Sequence, residues 1–350
     1  MNVVELQSVI RLAILANTVP FIAGPPGVGK SEIIESVVAS EGYALLDRRV
    51  SYMLPEDFFG LPLADKDRRE SIQLKPSIIA DVERVRAETG RPVVVLLDEI
   101  TSAQSPGVYA ALYQFILNRC LGSYCLPDDT RLLCAGNRAE DKGVVTELPM
   151  PLANRMQHFA YAGPTWDEFE TWAITNEVHP HVLAFLKQQP QYVCGKIAES
   201  MRTTKDGRLP TPRAWALLSR QLHIADAHNV DHAGRLRIAA SWVGDEASLR
   251  FETVMRLAEK LVSFEEVVKS PTKAPVYPED LAASYLMLTL LVQRVGSQKD
   301  FDAVFTYVER MPKELIGIFF RTALRSPRAS QYLRREKIKQ YAEFASAGIR

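Results

Sequence analysis

The stretch Gly24-Pro25-Pro26-Gly27-Val28-Gly29-Lys30-Ser31 decides how this chain is read. It matches the pattern G-x-x-x-x-G-K-[ST] at every required position, and its flanks supply the context that the pattern needs. Val19 to Ala23 reads as a short buried strand. Glu32 to Ala39 reads as a helix with apolar positions at Ile33, Ile34, Val37 and Val38. A strand, a glycine-rich turn and a helix N-terminus together make an anion cradle. Small residues let backbone N–H groups converge on phosphate oxygens, and the helix dipole favours negative charge there. Lys30 is placed to reach the β- and γ-phosphates, and the Ser31 hydroxyl to coordinate Mg²⁺. The expectation is a nucleoside triphosphate site.

The second decisive stretch is Pro92-Val93-Val94-Val95-Leu96-Leu97-Asp98-Glu99. A continuous β-branched and leucine run predicts a central parallel strand buried on both faces. Open α/β sheets place their ligands at the C-terminal ends of such strands, where this one carries two carboxylates. Asp98 is expected to hold Mg²⁺, directly or through water, and Glu99 to act as general base on the attacking water. Arg131 to Gly136 reads as the neighbouring buried strand. Asn137 at its tip is placed to orient that water.

Around these stretches, strands and helices alternate to about residue 162. Val3 to Ala16 reads as an amphipathic helix, Tyr43 to Val50 as a strand around Ala44-Leu45-Leu46, and Ser77 to Thr89 and Val108 to Arg119 as helices. Pro55 to Pro62 reads as a short helix closed by glycine and proline. Leu61 to Leu74 reads as an exposed hairpin with the charged tip Asp65 to Glu70, and Cys120 to Asp129 as a second hairpin turning near Leu126-Pro127-Asp128-Asp129. The expected class is a doubly wound α/β nucleotide-binding domain. From Thr165 on, the pattern is helical: Thr165-Trp166-Asp167-Glu168 is a capping box, and Val193 to Ala198 adds a short helical piece. Leu209 to Trp215 opens a helix with proline in its first turn. Ser270 to Pro275 reads as a linker, and a helical tail with a basic end, Arg334 to Lys339, follows it.

Composition narrows the class. The chain has 350 residues, 47% hydrophobic and 24% charged, with 42 Lys+Arg against 42 Asp+Glu. That is the profile of a globular protein, and the neutral balance argues against non-specific nucleic-acid binding as its main business. The apolar runs are too short to span a bilayer and no secretory signal is read, so the expected setting is cytoplasmic. Four cysteines, Cys120, Cys125, Cys134 and Cys194, show no C-x-x-C spacing and are expected to be reduced thiols. His223, His228 and His232 are read as a solvated turn after a helix end rather than as a metal site.

The phosphate loop, the Leu-Leu-Asp-Glu strand end and Asn137 occur in the order found in AAA+ ATPases. The chain resembles their MoxR-like branch, grouped with the dynein-related AAA proteins. The resemblance covers about residues 1 to 265 and implies an AAA+ core (1–162) and an all-α lid (163–269); the helical C-terminal extension (270–350), read from its own pattern, lies beyond it. It makes Asn137 the sensor 1 residue. Arg155, in Leu-Ala-Asn-Arg-Met, corresponds to the arginine finger that reaches a neighbouring subunit's γ-phosphate, and Arg213, in Thr-Pro-Arg-Ala-Trp, to sensor 2 of the lid. Leu54 to Gly60 with the charged hairpin resembles the helix-2 insert, within which Phe58 and Phe59 either pack on the core or face a pore. Cys120 to Thr130 resembles the pre-sensor-1 hairpin. The chain departs from the pattern at Arg138, where proline is expected. The implied activity is Mg²⁺-dependent ATP hydrolysis by a homo-oligomer, a hexameric ring, remodelling a protein client such as a von Willebrand factor A-domain protein. The alternatives are a nucleic-acid-directed motor or loader and a nucleotide-gated structural or regulatory protein.

Overall fold

The computed structural model describes residues 1–65, 70–138, 148–193, 208–277 and 279–333. The chain forms two compact units, Met1–Gly163 and Pro164–Arg350.

The first unit opens with α1 (Val3–Ala16). The Asn2 side chain accepts from the Glu5 N–H while the Glu5 carboxylate accepts from the Asn2 N–H, a reciprocal cap that satisfies two of the helix's orphan donors. Then follow β1 (Pro20–Ala23), α2 (Lys30–Ser40), β2 (Ala44–Arg49), α3 (Pro55–Phe59), β3 (Pro62–Asp65), β4 (Glu70–Gln73), α4 (Ser77–Thr89), β5 (Val93–Asp98) and α5 (Pro106–Asn118). The unit continues through β6 (Cys120–Leu121), β7 (Tyr124–Cys125), β8 (Arg131–Gly136), α6 (Met150–Ala153) and β9 (Gln157–Ala160).

Five strands make one parallel sheet in the order β2-β5-β8-β1-β9. The two-residue period of the central strands divides their side chains between two cores. Val93, Val95 and Leu97 face a core built with α4 and α5, whereas Val94 and Leu96 face one built with α1 and α2. Both faces of β5 are thus covered, which is what its unbroken apolar run predicts. Phe58 lies fully buried in the first of these cores, edge-on to Phe115, and Phe59 packs against the same core. Of the two roles open to this pair, the structure therefore places both against the core.

Two expectations in this unit are corrected. The second hairpin turns at Gly122-Ser123, with Cys120 and Cys125 as register partners, and not at Leu126 to Asp129. Gly122 takes a left-handed φ of +60°, which lets the chain reverse within two residues. The same pairing brings Cys120 and Cys125 face to face, and they form a disulfide, so the expectation of reduced thiols fails for these two. Cys134 is a buried free thiol, pushed up to about 12 by burial. The hairpin tip 66–69, Cys194, the helical piece after Val193 and the basic tail lie outside the described residues.

The second unit is helical as far as it is described: α7 (Trp166–Thr175), α8 (Pro180–Gln188), α9 (Pro212–Ala227), α10 (His232–Val243), α11 (Asp245–Ala258), α12 (Phe264–Lys269), α13 (Leu281–Arg294), α14 (Gln298–Val308) and α15 (Lys313–Arg325). One core gathers Phe185, Trp215 and Phe251, and another gathers Phe301, Phe305, Phe319 and Phe320. The segment read as a linker is instead a packed turn. Tyr307 donates to the Pro275 carbonyl at 2.6 Å, and Arg310 donates to the carbonyls of Pro271 and Ala274. The histidine stretch is also corrected. His223 lies within α9 with its ring 4.9 Å from that of His179, and His232 pairs with Glu252 and Glu259. His228 does lie in an exposed turn just after the helix end, as expected, so the correction concerns only His223 and His232.

Candidate phosphate-binding site

The turn between β1 and α2 is held from its backbone outward. The Gly24 N–H donates to the Gly136 carbonyl at 3.1 Å, and the Tyr161 N–H to the Ala23 carbonyl at 2.8 Å, fastening the turn to strands on both sides. A Cβ at Gly24 would lie 2.2 Å from the Tyr161 carbonyl oxygen, so the position excludes every side chain. Gly27 and Gly29 take φ values of +75° and +93°, which glycine adopts at little cost. Gly29 caps α2 without a side-chain hydrogen bond. The first-turn N–H groups of an eleven-residue helix are then left for an anion in the turn. Pro25, Pro26 and Val28 complete the loop.

Lys30 is only 8% exposed, and its ammonium donates to the carbonyls of Gly24 and Pro25 at 2.7 and 2.8 Å. Next to it, the Ser31 hydroxyl donates to Asp98 Oδ2 at 3.1 Å. The other Asp98 oxygen accepts from the Glu99 N–H at 2.8 Å. Two sequence-predicted metal donors, 67 positions apart in the chain, are therefore in direct contact. A hydroxyl and a carboxylate are hard oxygen donors of the kind Mg²⁺ takes, so the residues fit that ion.

Glu99 stands at a left-handed φ of +55°, an uncommon conformation for a side chain of its size. Its carboxylate accepts a hydrogen bond from the Ser51 hydroxyl. Asn137 is fastened through its backbone: its N–H donates to Thr101 Oγ1 at 3.1 Å, and the Thr101 hydroxyl lies 3.3 Å from its carbonyl. A third carboxylate, Asp47 on β2, is pushed up by burial and then by the charge of Asp98. Arg49, the register partner of Asp98, opposes that rise. Negative charge thus gathers at the strand ends, where a cation relieves it. Sequence reasoning missed Ser51, Thr101 and Asp47. Nothing in a lone serine or threonine at an element end marks it; only the strand order brings them to the site.

The structure brings Gly24 to Ser31, Asp98, Glu99 and Asn137 together in the first unit. Arg155 belongs to the same unit, half-buried after α6, with its guanidinium donating to the Pro151 carbonyl at 2.6 Å. Its Nε is buried with no hydrogen-bond partner among the described residues. Arg213 belongs to the second unit, exposed in the first turn of α9, where the Thr211 hydroxyl caps the helix.

No protein-family model matches the chain, and no curated protein matches it. Similar solved structures include the Thermotoga maritima RuvB Holliday junction branch migration motor. It is 18% identical over 81% of this chain and 80% of that one, with a TM-score of 0.36. A mutant form of the same protein matches at 18% identity over 80% of each chain, with a TM-score of 0.37. Likeness at this level carries no argument of its own.

Proposed function

We propose that this chain is a Mg²⁺-dependent ATPase of the AAA+ type, MoxR-like, that works as a homo-oligomeric ring and remodels a protein partner. The observation that carries the reading is the Ser31–Asp98 hydrogen bond. It joins the phosphate loop to the strand end whose next residue is Glu99.

In this reading Lys30 and the first N–H groups of α2 bind the phosphate oxygens. Ser31 and Asp98 would hold Mg²⁺. When bound, the ion neutralises charge that develops on the transferring phosphoryl oxygens. Glu99 accepts the proton of the attacking water, and Asn137 orients that water. Arg155 supplies positive charge to a neighbouring subunit's site, which makes the hexameric ring the active unit. Arg213 couples the lid, assigned to 163–269, to the nucleotide bound by the core, assigned to 1–162. Residues 270–350 form the extension, and the setting is cytoplasmic. Among the described residues no helix is long and apolar enough to cross a membrane.

The β3–β4 hairpin supports a protein client over a nucleic acid. Leu63 and Ile72 are register partners, the Leu74 N–H bonds the Leu61 carbonyl, and all four side chains are exposed. Alternation puts them on one face, and an exposed apolar face suits a polypeptide rather than a phosphate backbone. A von Willebrand factor A-domain protein is the partner that the resemblance suggests.

Turnover of MgATP by the purified chain tests the activity. Lys30→Ala is expected to abolish nucleotide binding, and Glu99→Gln to bind ATP without turning it over. A wild-type chain without turnover would overturn the reading. Mixing Arg155→Ala with Lys30→Ala subunits is expected to restore partial activity, because competent sites re-form at mixed interfaces. Capture of partners by the Glu99→Gln form, with and without nuclease, separates a protein client from a nucleic acid.

A further inference from the structure

The second unit contains two adjoining clefts, of about 390 and 720 Å³, within the ~300–1,000 Å³ range of small-molecule sites. His181, Arg235, Leu290 and Arg294 line both and so mark their junction. The smaller cleft continues from this junction along apolar side chains, among them Met255 and Met287. The larger is polar and is lined by carboxylates as well as guanidinium groups.

The charges at the polar end are not equally engaged. Arg235 is committed to Asp226 and to the Val230 carbonyl at 2.7 Å. Arg328 pairs with Glu177. Arg294 has the loosest partner of the three arginines, Glu265 at 3.8 Å, and its side chain is 53% exposed.

The histidines are set by a chain of hydrogen bonds. The His181 backbone N–H donates to His179 Nδ1 at 3.2 Å, which makes that nitrogen an acceptor. The His179 proton therefore sits on Nε2 and is donated to Asp226 Oδ2 at 3.0 Å. His181 stands edge-on to His179, with ring centroids 4.6 Å apart. Its own Nδ1 is buried with no hydrogen-bond partner among the described residues. Burial first, and then neighbouring His179, pushes the His181 imidazole down to about 3, so it is neutral at ordinary pH and Nδ1 can carry a proton. A loosely paired guanidinium where a polar cleft meets an apolar one is shaped for a ligand with an oxyanion head and an aliphatic body.

We propose that this junction binds an aliphatic carboxylate, with its oxygens on the Arg294 guanidinium and its chain along Met255, Met287 and Leu290. The same chemistry is presented by a free alkanoate and by a peptide that ends in an aliphatic residue.

Calorimetric titration of the full chain with octanoate, and with a hexapeptide ending in leucine, tests the site. Saturable binding of either one supports it, and which of them binds identifies the source. Binding is expected to be lost for octanol and for the peptide amide, which lack the carboxylate. Arg294→Gln, at a half-exposed position, is expected to weaken binding about tenfold, as for loss of one charge-assisted hydrogen bond. Ala258→Phe, which fills the apolar cleft, is expected to block binding while the melting temperature stays near that of the wild type. The proposal is overturned if neither probe saturates, if octanol binds as well as octanoate, or if both substitutions leave the affinity unchanged.

Discussion

The Ser51 hydroxyl donates a hydrogen bond to the Glu99 carboxylate, tying the residue proposed as general base to the segment that follows β2. Glu99 needs such a tie. Its backbone is left-handed, and the sheet ends at the residue before it, so the strand ladder does not hold it and the Ser51 hydroxyl fixes its carboxylate. Ser51→Ala is expected to lower ATP turnover about tenfold with little change in KM, the scale of one hydrogen bond to a charged group. A parallel loss in nucleotide affinity would show that Ser51 supports the whole site rather than the base. Steady-state kinetics at saturating Mg²⁺ decides between these outcomes.

Gly24→Ala tests the backbone of the loop. The added methyl would sit 2.2 Å from the Tyr161 carbonyl oxygen, which is itself fixed by the Tyr161 N–H to Ala23 bond. Neither backbone can yield without breaking a strand contact. The expected result is loss of nucleotide binding and a destabilisation of about 2 kcal/mol or more, read by fluorescent nucleotide titration and thermal melting.

The Cys120–Cys125 disulfide closes a short loop at the tip of the second hairpin. For five residues of separation, the chain-entropy relation gives about 2 kcal/mol of stabilisation. Cys120→Ser with Cys125→Ser, or reduction by dithiothreitol, is expected to lower the stability of the first unit by about that much. Cys134, buried and held protonated, is expected to resist alkylation until the chain unfolds. Mass spectrometry after native and denatured alkylation reads both statements.

Glu170 is 1% exposed and joins four helices of the second unit. It accepts from Tyr285 at 2.8 Å and Lys187 at 3.2 Å, and lies 3.5 Å from Arg325 and 4.0 Å from Arg321. Glu170→Ala leaves three cations around an empty site, and the expected cost is about 3 kcal/mol. Tyr285→Phe removes one neutral donor and is expected to cost about 1 kcal/mol. Urea unfolding followed by tryptophan fluorescence measures both.

His179 and His181 predict a pH dependence of stability. Burial holds both below the ordinary histidine value, His181 at about 3. Asp226, His223, Arg235 and Arg294 are the charged or titratable groups that face them. The unfolded histidines take up protons below about pH 6.5 while the folded ones do not. The unfolded state then binds more protons, so the stability is fully present above about pH 6.5 and is lost as pH falls. The limiting slope is about 1.4 kcal/mol per pH unit for each histidine. His179→Gln with His181→Gln is expected to flatten the curve of urea midpoint against pH between about pH 6.5 and 4.5.

Local sequence determined a good deal of this molecule. The phosphate loop was legible because a helix N-terminus, two left-handed glycines and a lysine are all specified within eight residues. The β5 run announced a strand covered on both faces, since only that setting tolerates five consecutive large apolar side chains. Tertiary structure decided the rest. Ser51, Thr101 and Asp47 reach the strand ends only because β2, β5 and β8 are neighbours, a fact of strand order rather than of local pattern. The disulfide depended on where the hairpin turned, because a two-residue turn makes Cys120 and Cys125 partners and a later turn would not. The packed turn at 270–275 read as a linker because prolines look the same whether their carbonyls meet solvent or accept from Tyr307 and Arg310. Pattern reports what a segment prefers by itself. Which distant side chains meet is set by how the elements stack, and that is where the carboxylates, the hydroxyls and the histidine pair of this protein came together.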